Sequence, residues 1–160
     1  MAGAGARAVG AVDAAHEAQG PPTTEAAAWT KVRCRGKHGA WAALLLVGDE
    51  QEVLAGSSRE TSANRLELEA GIAVLHECPQ EVALTIHAGD YLRKGASEWL
   101  PGWKTRGWKT GSGSAVKNRD LWVQVDRLLM GREIEWRVLA GGFEGMVELE
   151  RRVKEELGET

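Results

Sequence analysis

The apolar run Ala40–Val47 limits the folds open to this chain more than any other feature. It is far too short to cross a bilayer, so it has to be buried inside a globular domain. Its β-rich part from Trp41 to Val47, closed by the Gly48-Asp49 turn signal, predicts a strand. Lys31–Cys34 predicts a shorter strand before it and Glu52–Gly56 a third after it. Three strands in succession predict an antiparallel meander.

Beyond the meander the period changes. Leu68, Ile72 and Leu75 recur at helical spacing behind the polar start Thr61-Ser62-Ala63-Asn64, and Pro79 stops that helix soon after Cys78. Val82, Leu84 and Ile86 alternate as a strand, so the helix before it serves as a crossover onto the same sheet. A further helix starts near Asp90. Gly111-Ser112-Gly113-Ser114 reads as an exposed turn, and Lys117–Met130 is helical with Leu121, Val125 and Leu128 on one face. Ile134, Trp136 and Val138 form a last strand, and Met146, Leu149, Val153 and Leu157 stripe a closing helix. This order predicts a mixed α/β (α+β) domain.

Length and charge fit that picture. A chain of 160 residues fits one domain. The net charge of −3 conceals a basic stretch from Arg93 to Arg119, in which Glu98 is the one acid against seven bases, whereas the chain from Arg132 onward is mostly acidic. Such segregation predicts one polyanion-facing surface. Residues 1–28, rich in Ala and Gly and broken by Gly20-Pro21-Pro22, read as a disordered leader or a targeting remnant, leaving 29–160 as the domain. Cys34 and Cys78 have no metal-knuckle or disulfide spacing and predict reduced thiols, hence an intracellular compartment, cytoplasmic or organellar. Cys34, beside Arg35, reads as a buried strand thiol or else one with a lowered pKa. His16, His38, His76 and His87 show no metal-ligand pairing.

Longer motifs add a family. Ala63-Asn64-Arg65-Leu66-Glu67-Leu68 resembles the helix-opening motif of type 1 ribonuclease H. Trp99, Trp103-Lys104-Thr105-Arg106-Gly107-Trp108-Lys109-Thr110 and Val116–Trp122 resemble that family's basic protrusion and the helix after it, and Ile134-Glu135-Trp136 its last strand. The resemblance covers roughly residues 31–152 and implies a ribonuclease H-like fold, a five-stranded mixed sheet with helices on both faces.

It also implies a chemistry. Such enzymes cut the RNA strand of an RNA/DNA hybrid with two divalent ions, held by four carboxylates from the first strand, first helix, fourth strand and last helix. Matched by motif, only Glu67 keeps its carboxylate, while Arg35, Ala88 and Val147 take the other three positions. The expectation is therefore no resident metal, with Mg²⁺ bound only if Asp90 or Glu148 restores a ligand, and an Arg35–Glu67 ion pair in its place. The loop before the last helix, Ala140–Gly145, is short and lacks the family's His.

What the resemblance leaves intact is the binding surface. Trp99, Lys104, Arg106, Trp108, Lys109 and Lys117 keep the residue types that grip a nucleic-acid backbone, although Trp103, Trp108 and Trp122 read equally as core. Ser62 and Asn118 fall in the family's phosphate pocket and Asn64 at its minor-groove contact, while Ser62 and Asn64 also suit a helix start. The implied function is a pseudoenzyme that binds an RNA/DNA hybrid or structured RNA without cleaving it. The alternatives are a structural subunit of a ribonucleoprotein or organellar complex and an active endonuclease with a rearranged site.

Overall fold

The computed structural model describes residues 24–139 and 143–159. β1 (Glu25–Arg35), β2 (His38–Val47) and β3 (Glu50–Ser58) form the expected meander. Helix α1 (Ala63–Glu77) crosses over to β4 (Ala83–Ala88), which pairs parallel to β1, and β5 (Ile134–Val138) pairs parallel to β4. The sheet order is β3-β2-β1-β4-β5, the five-stranded mixed sheet that the motifs implied.

β2 explains its own continuous hydrophobicity. Side chains alternate across a strand, and Trp41, Ala43 and Leu45 enter a core with Leu66, Leu68 and Val74 of α1, while Ala40, Ala42 and Leu44 enter a second core with Leu149, Val153 and Leu157. A strand covered on both faces has no polar side to show. Leu149 and Val153 belong to α5 (Met146–Glu156), a mostly charged helix. Full burial of these two, at about 1.5–3 kcal/mol each, is what fastens it to the sheet.

Between β4 and β5 the chain builds α2 (Asp90–Lys94), a π-helical turn (Gly95–Trp99), α3 (Leu100–Thr105), a loop, and α4 (Arg119–Leu129). Among the described residues, no helix is long and apolar enough to cross a membrane.

The sheet begins earlier than composition suggested. Glu25 to Ala28, assigned above to the leader, are the first residues of β1, with Ala26 and Ala28 6% and 0% exposed. Alanine disfavours strands in isolation, and tertiary burial overrides that preference here. The rest of the predicted leader, residues 1–23, lies outside the described residues.

Candidate nucleic-acid interface

Four ligands of one metal pair have to converge, and the β1–β4 ladder fixes which first-strand residue could take part. Trp29 pairs with His87, so the next step along the parallel strands sets Thr30 beside Ala88. Thr30 is 2% exposed and has the same strand parity as Ala28, which lies in the α1-side core with Ala88. Arg35, matched to this position by the Arg35-Gly36 pair, is elsewhere. It ends β1, faces His38 across the hairpin, and lies about 16 Å of strand beyond Thr30. Its odd parity turns it to the opposite face, where its guanidinium meets Glu159 at 3.2 Å. The expected Arg35–Glu67 pair is thus replaced by Arg35–Glu159, because Arg35 ends β1 at the hairpin, on the sheet face away from α1.

Glu67 is engaged in another way. Its Oε1 accepts the Leu92 backbone N–H at 3.1 Å, and the Tyr91 N–H adds a second bond, so the carboxylate caps the N-terminus of α2 from a neighbouring helix. The approach is close: a Cβ on Gly89 would sit 2.7 Å from Glu67 Oε2, and only glycine leaves room. Burial pushes the Glu67 carboxyl above its usual range, the charge of Asp90 pushes the same way, and the two N–H donors partly oppose them.

The two acids that could restore a ligand are also engaged. Asp90 lies 2.7 Å from Arg93, whose hydrogen bond holds its carboxyl below the usual range. Glu148 is held down in the same way by Arg151. Val147, at the last-helix position, is 73% exposed. Among the described residues, no three His, Cys, Asp or Glu side chains form a group that could hold a metal ion.

The basic segment folds around its tryptophans. Tyr91, Trp99, Trp103 and Trp122 form a chain of tilted and edge-on rings with centroids 5.2–6.2 Å apart. Trp122 is fully buried and donates its indole N–H to the Tyr91 hydroxyl, whereas Trp99 at the outer end is exposed. Trp108 is half-buried against the core at φ +67°, a conformation rare for a bulky residue. Two of the predicted phosphate contacts also brace the fold: Lys104 pairs with Asp126 at 3.2 Å, and Arg106 Nε donates to the Lys109 carbonyl. Lys109 and Lys117 are exposed.

Ser62 and Asn118 are brought together through Arg65. Ser62 is the N-cap of α1 and its Oγ accepts the Arg65 N–H, while Asn118 Oδ1 accepts from Arg65 Nη1 at 3.2 Å. Arg65 is itself held by a two-pronged contact to Asp120, at 3.1 and 2.7 Å, which lowers the Asp120 carboxyl. Asn118 sits at φ +57° and donates to the Tyr91 hydroxyl, tying this corner to the tryptophan chain. Asn64 is exposed on the first turn of α1. Nothing in the sequence marks Arg65 directly as the link; its spacing of three from the Ser62 cap is the available clue.

Comparison with known proteins gives the family. The family model for RNase H matches residues 28–149. The chain belongs to the ribonuclease H family. A ribonuclease H from Thiobacillus denitrificans is 40% identical over 111 residues, covering 68% of this chain and 75% of that protein. One from Halorhodospira halophila is 41% identical over 118 residues, covering 71% and 78%. Among solved structures, LC9-RNase H1, described as a type 1 RNase H with the type 2 active-site motif, superposes with a TM-score of 0.72 at 21% identity, over 86% of this chain and 74% of that one. The foamy viral protease-reverse transcriptase solved with an RNA/DNA hybrid superposes at 0.62 and 12% identity, over 84% and 20%. These two likenesses concern the fold.

Among the described residues, the positions matched to the family's carboxylates present few of the hard donors that two dications need. Thr30, Ala88 and Val147 offer one neutral hydroxyl among them, and Glu67 already accepts two N–H groups. The residues do not fit the metal pair. Cys34 also differs from the reactive alternative, since burial raises its thiol rather than lowering it.

Proposed function

We propose that this ribonuclease H-family domain binds an RNA/DNA hybrid, or structured RNA of similar shape, without cutting it. One observation carries the reading: of the four positions that would hold metal, only Glu67 is a carboxylate, and it serves as a cap for α2. The binding half rests on what surrounds that position. Exposed Lys109 and Lys117 offer charge to phosphates, Trp99 offers a ring face at the end of the tryptophan chain, and Ser62 with Asn118 is held ready by Arg65.

Titrating a labelled hybrid with the protein in Mg²⁺ over a range of salt tests this. Affinity is expected to fall steeply with salt, with the hybrid recovered at full length. The double variant Lys109→Gln/Lys117→Gln is expected to flatten the log–log slope by about two units, since each phosphate contact contributes about 0.9. Absent or salt-independent binding overturns the binding half, and a shortened RNA strand overturns the other.

A further inference from the structure

A second row of cations lies on the sheet face away from α1. Lys31, Arg33 and Arg35 share strand parity on β1, and Lys37 follows in the hairpin turn. Their exposure rises outward, at 34%, 46%, 64% and 80%, so the row emerges from beneath α5 into solvent. Two-residue steps along a strand set successive cations about 6.6 Å apart. That interval is comparable to the separation of neighbouring phosphates on one nucleic-acid strand.

What faces the row is acidic. Lys31 lies 3.9 Å from Glu150, Lys37 lies 3.9 Å from Glu60, and the two arginines share a single acid, Glu159, at 3.1 and 3.2 Å. Glu159 is aimed there by the end of α5. Gly158 takes φ +78°, its N–H donates to the Glu155 carbonyl, and the Glu159 N–H reaches back to the Lys154 carbonyl at 2.8 Å. This is the paired closure of a Schellman cap, which folds the residue after the glycine back over the helix end. Beyond Arg35 the surface continues as a groove of about 490 Å³ that includes His38, Ser57, Ser58 and Arg59. The acids on its α5 wall, Glu155 and Glu156, are paired with Arg151 and Arg152.

We propose that Lys31, Arg33 and Arg35 form a second track for a phosphodiester backbone, and that Glu159 occupies it in the free protein. Two guanidiniums meeting one carboxylate leave donors over, and arginine matches a phosphate with a two-pronged contact that one shared glutamate cannot give to both. The arginines are 46% and 64% exposed while Glu159 is 15% exposed, so solvent weakens the pairs from the arginine side and an incoming strand competes there for both guanidiniums. The inference rests on the nucleic-acid reading and extends it to the opposite face of the sheet.

The test measures hybrid affinity and its salt slope for the full chain and its variants. Glu159→Gln is expected to tighten binding about fivefold, the most that relieving exposed pairs returns, whereas Glu81→Gln, an exposed acid ahead of β4, leaves affinity unchanged. Arg33→Gln/Arg35→Gln is expected to lower the slope by about two units and Arg33→Lys/Arg35→Lys to keep it, with thermal midpoints confirming the fold. The track is overturned if Glu159→Gln binds like the parent, if Glu81→Gln tightens binding equally, or if both arginine pairs leave the slope unchanged. If those results accompany a slope that Lys109→Gln/Lys117→Gln still flattens, the track alone has failed. A parent chain that binds no hybrid contradicts the nucleic-acid reading itself.

Discussion

Glu67 carries much of the proposed reading of this domain as a binder. A retained carboxylate in a ligand position reads as a metal ligand until its partners are known, and here those partners are the N–H groups opening α2. Glu67→Gln keeps an acceptor and removes a buried charge, so stability is expected to stay within about 1 kcal/mol of the parent. Its pH dependence is expected to change. A carboxyl raised by burial binds its proton more tightly when folded, so the parent loses stability as pH rises from about 4.3 through the raised value. The glutamine variant lacks that loss, and thermal melts of both chains across this range measure it. Asn118 gives a second check at this scale. Asn118→Ala strips partners from Arg65 and Tyr91 and places at φ +57° a residue that tolerates the left-handed region less well than asparagine, which is expected to cost about 1–3 kcal/mol in denaturant unfolding. Asn118→Gly relieves the backbone part and is expected to cost less. In the sequence, flanking motifs matched Glu67, Ala88 and Val147 to the family's ligand positions, while the first-strand match, Arg35, lies elsewhere in the fold. Arg35-Gly36 imitates the expected dipeptide, while the part of β1 that runs beside the end of β4 shows only in a register between strands more than fifty residues apart.

At the scale of elements, periodicity found every strand and the long helices, because each buries a regular face. It missed the start of β1, where three successive alanines carry little hydrophobic signal, and the break of the Asp90 helix into α2, a π-helical turn and α3. That break lies where Gly95 meets the Trp122 ring; a Cβ there would fall 2.1 Å from the indole. Gly95→Ala is therefore expected to destabilise the domain by about 1–3 kcal/mol and to shift the tryptophan fluorescence, since the ring chain has to move as a unit. An unchanged denaturant midpoint contradicts that packing.

Over the whole molecule, the sheet order and the two cores keep the ribonuclease H architecture, while the proposed loss of cleavage turns on the few positions matched to metal ligands. Fold and chemistry separate because burial and periodicity are spread over many residues, whereas the site depends on four. Thr30→Asp/Ala88→Asp crowds two carboxylates beside Glu67 and is expected to destabilise the chain by about 3 kcal/mol or more without metal. Mn²⁺ is expected to raise the melting temperature of that variant and to leave the parent unmoved. The most direct measurement incubates the parent with a labelled RNA/DNA hybrid and Mn²⁺ and follows the RNA strand over time. The strand is expected to stay at full length while the hybrid remains bound; metal-dependent cleavage that disappears in Glu67→Gln would contradict the account.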